Sequence, residues 1–123
     1  MIDPVPVLCF AAAGVRFAIA ASDVLGLGDD ARTAPALAAG LGLPGQLTPQ
    51  CRVVTLASRA GRFDVVVDGP ITIRRLGLEH IVAAPAGVPL SPAVIGFARV
   101  DGELVQLLEV ERVIAGLSPP GAP

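Results

Sequence analysis

Few residues in this sequence could do chemistry. It has two cysteines, Cys9 and Cys51, and a single histidine, His80. Together Cys51 and His80 offer one reaction: a thiol attacks while the imidazole takes its proton. No local motif links them, and the cysteines lack metal-ligand spacing. A free thiol in an apolar strand is ordinarily a core residue, and a lone loop histidine a surface one. Asp64 and Asp68 are four apart on a strand pattern, so both point the same way. Paired carboxylates can share acid and base roles, but this spacing is equally that of a solvated strand face. Asp29-Asp30 is followed by no calcium-loop spacing. Gly40-Leu41-Gly42 lacks the further glycines, the lysine and the preceding strand of a phosphate loop. Apolar residues on both faces of several predicted strands favour a binding module over an enzyme, with a small Cys51/His80 enzyme as the remaining alternative. Nothing calls for a metal, nucleotide or other cofactor.

The 123 residues suit one domain. Hydrophobic residues make up 53% and aromatic residues 3%, the latter being Phe10, Phe17, Phe63 and Phe97. The core must therefore be built from Val, Leu, Ile and Ala. All nine basic residues are arginine and the net charge is -2. Nucleic-acid binding would need clustered basic side chains interleaved with stacking aromatics, and the sequence has neither. The expected partner is a protein. Asp3 and the lack of a basic n-region argue against a secretory signal. The apolar run over 5–15 stops at Arg16, short of the ~20 residues a spanning helix needs. We therefore expect a cytoplasmic protein without membrane insertion.

The clearest structural signal is the stretch 94–108, two apolar runs around Asp101-Gly102. That dipeptide suits a two-residue hairpin turn with positive φ at both positions. Pairing then sets Val100 against Glu103, Ala98 against Val105 and Gly96 against Leu107. Residues 7–11 and 15–20 read as strands around a turn at Ala12-Ala13-Gly14. Ser22-Asp23 offers an N-cap for a helical turn through Val24 and Leu25, ended by Gly26 and Gly28. The Pro- and Gly-rich segment 29–50 has room for one helical turn around 36–41. Strands follow at 51–57 and 62–68 across a loop at 58–61. Phe63, Val65, Val67, Val54 and Leu56 share one face; Arg62, Asp64, Val66 and Asp68 share the other. Gly69-Pro70 is expected to break the strand. A third strand over 71–76 would face Ile71 and Ile73 to the core and Thr72 and Arg74 outward. A short strand is expected at Ile81-Val82. A closing helix over 109–117 would carry Val110, Val113 and Ile114 on one stripe. The tail 118–123 is expected to be disordered. Seven to nine short strands with two or three short helices define a mainly β class.

The order of these elements resembles the CheW-like domain, the coupling module of bacterial chemotaxis. The first match is Phe10, then Gly14-Val15-Arg16-Phe17-Ala18-Ile19, then Ser22-Asp23-Val24. The second is Val65-Val66-Val67-Asp68-Gly69, with Pro70 where valine is usual. The third runs from Gly96 through Asp101-Gly102 and Leu107-Leu108 to Ile114. The match covers about 7–28 and 51–115. The family's central segment, with its Asn-Leu-Arg-Gly stretch and two strands, has no counterpart in 29–50. The short length is similar to that of the Frz-type CheW-like proteins.

The resemblance implies a pair of small SH3-like β-barrels, the first reduced or open. It implies one domain over 1–117, truncated around 29–50. It further implies a non-catalytic adaptor bound to the cytoplasmic tip of a chemoreceptor, within chemosensory arrays. Coupling to a CheA-type histidine kinase is expected to be weak or lost, because the missing segment belongs to the kinase-binding barrel. Val24, Leu27, Phe63, Asp64 and Val66 are the expected partner-binding residues. An open barrel edge would need a cover, either the 29–50 segment or a second copy of the chain.

Overall fold

Two dipeptides with positive φ organise the fold. In the computed structural model, which describes residues 3–29, 34–43, 50–86 and 91–117, Asp101 and Gly102 have φ of 51° and 80°. Ala13 and Gly14 have nearly the same pair, 53° and 78°. Positive φ at both central positions gives the turn twist that matches paired strands. Each turn therefore makes a tight hairpin. The first joins β1 (Val5–Ala12) to β2 (Val15–Ala20), and the second joins β7 (Val94–Val100) to β8 (Glu103–Leu108). In the second, Val100 pairs with Glu103, Ala98 with Val105 and Gly96 with Leu107, as the sequence predicts.

Between the hairpins lie β3 (Val24–Gly28), β4 (Cys51–Ser58), β5 (Gly61–Leu76) and β6 (Ile81–Val82). The short helix α1 (Leu37–Gly40) follows β3, and α2 (Val110–Leu117) follows β8. The strands form one eight-stranded sheet in the order β3-β4-β5-β1-β2-β8-β7-β6. All neighbours are antiparallel except β2 and β8. The ladder does not close: β3 and β6 end it.

The sheet curls around two cores. The larger joins Leu8, Phe10, Phe17 and Ile19 to Val54, Leu56, Val65 and Val67, and α1 and α2 cover it with Leu37, Val110 and Val113. Ile114 packs against its edge, which completes the helical stripe expected from the sequence. The smaller core contains Val7, Cys9, Ala18, Leu76, Ala98 and Val105. Alternation along β1 explains the division: Leu8 and Phe10 face one core, Val7 and Cys9 the other. The long strand β5 serves both cores. Up to Asp68 it pairs with β4, and from Asp68 to Leu76 with β1.

Several local expectations are corrected. Val24 and Leu25 are strand, and a 3-10 turn over Ala21–Asp23 precedes them without a side-chain cap. Pairing of Gly26, Leu27 and Gly28 with β4 outweighs the weak helical signal. Gly69-Pro70 does not end the strand. Its cis peptide lies where β5 changes partner and the β1–β5 register shifts, a bulge position where proline is tolerated. The loop at 58–61 is tighter than expected, since Ser58 and Gly61 themselves pair. Ile73 is not core but 67% exposed. It lies opposite Leu8, yet the large core takes in Leu8 and Ile71 and ends short of it. Arg74 is exposed as expected and Thr72 is half-buried; both line a cleft with Cys9 at the end of the smaller core. The tail 118–123 lies outside the described residues.

Candidate partner-binding surface

The terminal strand β3 carries the first two candidate residues. Val24 pairs with Leu56, which pairs with Phe63 on β5. Residues directly opposite share a sheet face, so Val24, Leu56 and Phe63 form one row on the larger core. Leu56 is buried, while Val24 and Phe63 are half-buried and pack against its margin. Leu27 pairs with Val54. Positions 24 and 27 would ordinarily face opposite ways. The register shift between Val24 and Gly26 inserts Leu25 as an extra residue and returns Leu27 to Val24's side. Leu25 and Leu27 are 50% and 47% exposed. The edge of the sheet is thus apolar.

The other two candidates lie on the opposite face. Asp64 pairs with Thr55, whose hydroxyl donates to the Asp64 carboxylate at 2.7 Å. Gly26 continues this row and has open space where a Cβ would stand. Val66 pairs with Val53 and is only 1% exposed. Its N–H donates to the Pro35 carbonyl at 2.8 Å, and Ala36 makes a parallel bridge to it. The described part of the 29–50 segment therefore folds onto β5 and sends Leu37 into the larger core. The five candidates do not form one patch. Val24, Leu27 and Phe63 line one margin, Asp64 lies on the reverse face, and Val66 is interior.

The remaining chemistry-bearing residues are dispersed. Cys51 pairs with Asp68 on β5. His80 lies beyond the far end of that strand in the 3-10 turn Leu78–His80, where its Nδ1 accepts from the Gly77 N–H at 3.0 Å. Asp64 is exposed but Asp68 is buried, so the two carboxylates occupy different environments. Asp29 pairs with Arg52 at 2.8 Å. Among the described residues, no three His, Cys, Asp or Glu side chains are grouped to hold a metal ion, and no helix is long and apolar enough to cross a membrane.

Sequence reasoning missed Leu25 and Ile73. Leu25 reads as part of a helical turn, and only the bulge exposes it. Ile73 follows strict alternation into the core, and nothing in its local sequence marks where the core ends.

A mainly β, unclosed sheet wrapped around two cores and backed by two short helices is a CheW-like fold. Its likeness extends to a particular solved structure, the scaffolding protein TtCheW from Thermoanaerobacter tengcongensis, with a TM-score of 0.71 and 14% sequence identity. The match covers 86% of this chain and 89% of that one. No family model matches the sequence, and neither does any curated protein.

Proposed function

We propose that this chain is a non-catalytic chemosensory adaptor that docks the cytoplasmic helical tip of a chemoreceptor. The observation that carries this reading is the edge strand β3. There Leu25 and Leu27 are exposed beside the half-buried Val24 and Phe63. An apolar strip of this kind suits the apolar stripe of an amphipathic helix. The likeness to a solved scaffolding protein supports the same reading. The adaptor would act in the cytoplasm, at chemosensory arrays.

In this proposal the chain is a shortened, Frz-type member of the CheW-like group, and its coupling to a CheA-type kinase is weak or absent. The support comes from the sequence: 29–50 lacks the Asn-Leu-Arg-Gly stretch and the strands around it. The described part of that segment is occupied inside the protein, through Pro35, Leu37 and Leu41.

Pulldown against two separate baits tests the proposal: a receptor signalling tip and a kinase regulatory domain. Capture by the receptor tip alone, abolished by Leu27→Asp, is the expected result. Capture by both refutes the loss of kinase coupling. Capture by neither refutes the adaptor role.

A second reading is favoured by the position of β3 at the end of the ladder. A terminal strand offers backbone donors and acceptors to another strand. The chain would then self-associate into a cluster component, β3 against β3. Sedimentation would show a dimer that Leu25→Pro converts to monomer.

A further inference from the structure

The smaller core ends in a charged cleft of about 120 Å³ lined by Cys9, Arg16, Thr72, Arg74, Asp101 and Glu103, among others. Arg74 Nη2 meets Asp101 Oδ2 at 2.8 Å, and Arg16 Nε lies 3.5 Å from Glu103 Oε2. Cys9 is 2% exposed and lies at the inner side of this cleft.

The Arg74–Asp101 contact is unusual in what it spans. Arg74 is on β5, and Asp101 is in the β7–β8 turn. Three strands, β1, β2 and β8, separate β5 from β7 in the sheet. The pair therefore crosses the mouth of the curled sheet rather than joining neighbours. It joins by charge two parts of the sheet that share no backbone hydrogen bonds. Asp101 and Gly102 adopt positive φ, and Arg99 Nη1 donates to the Gly102 carbonyl at 3.4 Å.

We propose that the Arg74–Asp101 pair is an electrostatic latch over this mouth, which sets how often the β7–β8 tip lifts and exposes Cys9. Both side chains are about half exposed or more. An ion pair in such surroundings is weak and is screened by salt. The latch is therefore easily released, and local opening of the hairpin tip requires no global unfolding. Cys9 is the built-in reporter of the open state.

Thiol labelling in a Cys51→Ala background tests the latch. Raising salt from about 50 mM to about 1 M should speed Cys9 labelling about two- to fivefold. Asp101→Asn should do the same at low salt and flatten the salt dependence. Asparagine tolerates positive φ, so the turn itself is retained. Arg74→Gln should likewise flatten the salt dependence. Because Arg74 lowers and Asp101 raises the Cys9 thiol pKa, rates are compared after correction for the thiolate fraction, and the double variant should then be no faster than the faster single one. Asp29→Asn, which breaks the Arg52–Asp29 pair elsewhere, is the control and should leave the rate unchanged. The latch is overturned if Asp101→Asn labels at the parent rate. It is equally overturned if the two single effects multiply in the double variant, or if Asp29→Asn accelerates Cys9 as much.

Discussion

Gly116 of α2 lies against the carbonyl oxygen of Gly40 in α1: a Cβ at 116 would stand 2.6 Å from it. The two helices that cover the larger core cross at this contact, and only hydrogen at position 116 permits it. Alanine normally favours a helix over glycine by about 1 kcal/mol. Here the obstacle is backbone, which cannot swing aside. Gly116→Ala should therefore destabilise the protein by about 1–3 kcal/mol, read from urea unfolding. Gly40→Ala should cost less. Its Cβ would meet Cδ2 and Cγ of Leu117, a side chain that can swing aside about its χ1 where a backbone carbonyl cannot. A stabilised Gly116→Ala variant would show that the helices are not packed this closely.

The first hairpin offers a substitution of opposite sign. Ala13 has φ of 53°, a region where a Cβ costs about 1–2 kcal/mol and asparagine is better tolerated. Ala13→Asn should raise stability by about 0.5–1 kcal/mol. Thermal denaturation would check it, and a lowered Tm would contradict the turn geometry.

Alkaline pH isolates one group. The sequence has no lysine and no tyrosine, so the two thiols are the only side chains with ordinary pKa values between pH 8 and 11. Burial pushes the Cys9 thiol above its ordinary 9.0, against the opposing pull of Arg16 and Arg74. Between the ordinary and the raised value the unfolded chain releases a proton that the folded chain keeps. Stability is therefore full below that window and falls as pH rises through it. Urea midpoints from pH 8 to 10.5 should decline in the parent protein and decline less in Cys9→Ala. Equal declines would place the titration elsewhere.

Leu27 and Val66 should separate binding from folding. Leu27→Asp changes an exposed margin and should leave the unfolding midpoint within about 0.5 kcal/mol of the parent. In the adaptor reading it lowers affinity for the receptor tip by at least about tenfold. Val66→Ala empties an interior position and should cost about 1–3 kcal/mol. Any loss of binding in that variant should follow the loss of folded protein. A Leu27→Asp protein that unfolds easily would remove Leu27 from the surface.

Phe10 and Phe17 are the only stacked aromatic pair among the described residues, with centroids 6.4 Å apart. Both are buried in the larger core, where β1 and β2 set them opposite each other. With so few aromatics, neighbouring side chains cannot refill the space. Phe17→Ala should cost about 3–5 kcal/mol. A smaller loss in denaturant unfolding would mean that the core collapses around the gap.

Much of this architecture is legible in local sequence. Asp101-Gly102 dictates its hairpin and register, because few residue pairs accept positive φ twice. Period-2 alternation places Val54, Leu56, Val65 and Val67 together on one face, and the i, i+3, i+4 spacing of Val110, Val113 and Ile114 makes the stripe of α2. These signals depend only on backbone sterics and on neighbours close in the chain. The tertiary structure decides the rest. The bulge at Leu25 returns Leu27 to the face of Val24, which alternation cannot foresee. The extent of the core leaves Ile73 in solvent although its pattern is that of a buried residue. Folding of 34–43 onto β5 makes Val66 interior and removes it from the expected binding set. Arg74 reads as an outward-facing strand residue until the curl of the sheet brings Asp101 across three strands to meet it. Local rules determine which way a side chain points; only the closure of the sheet and the reach of its covering helices determine what it meets there.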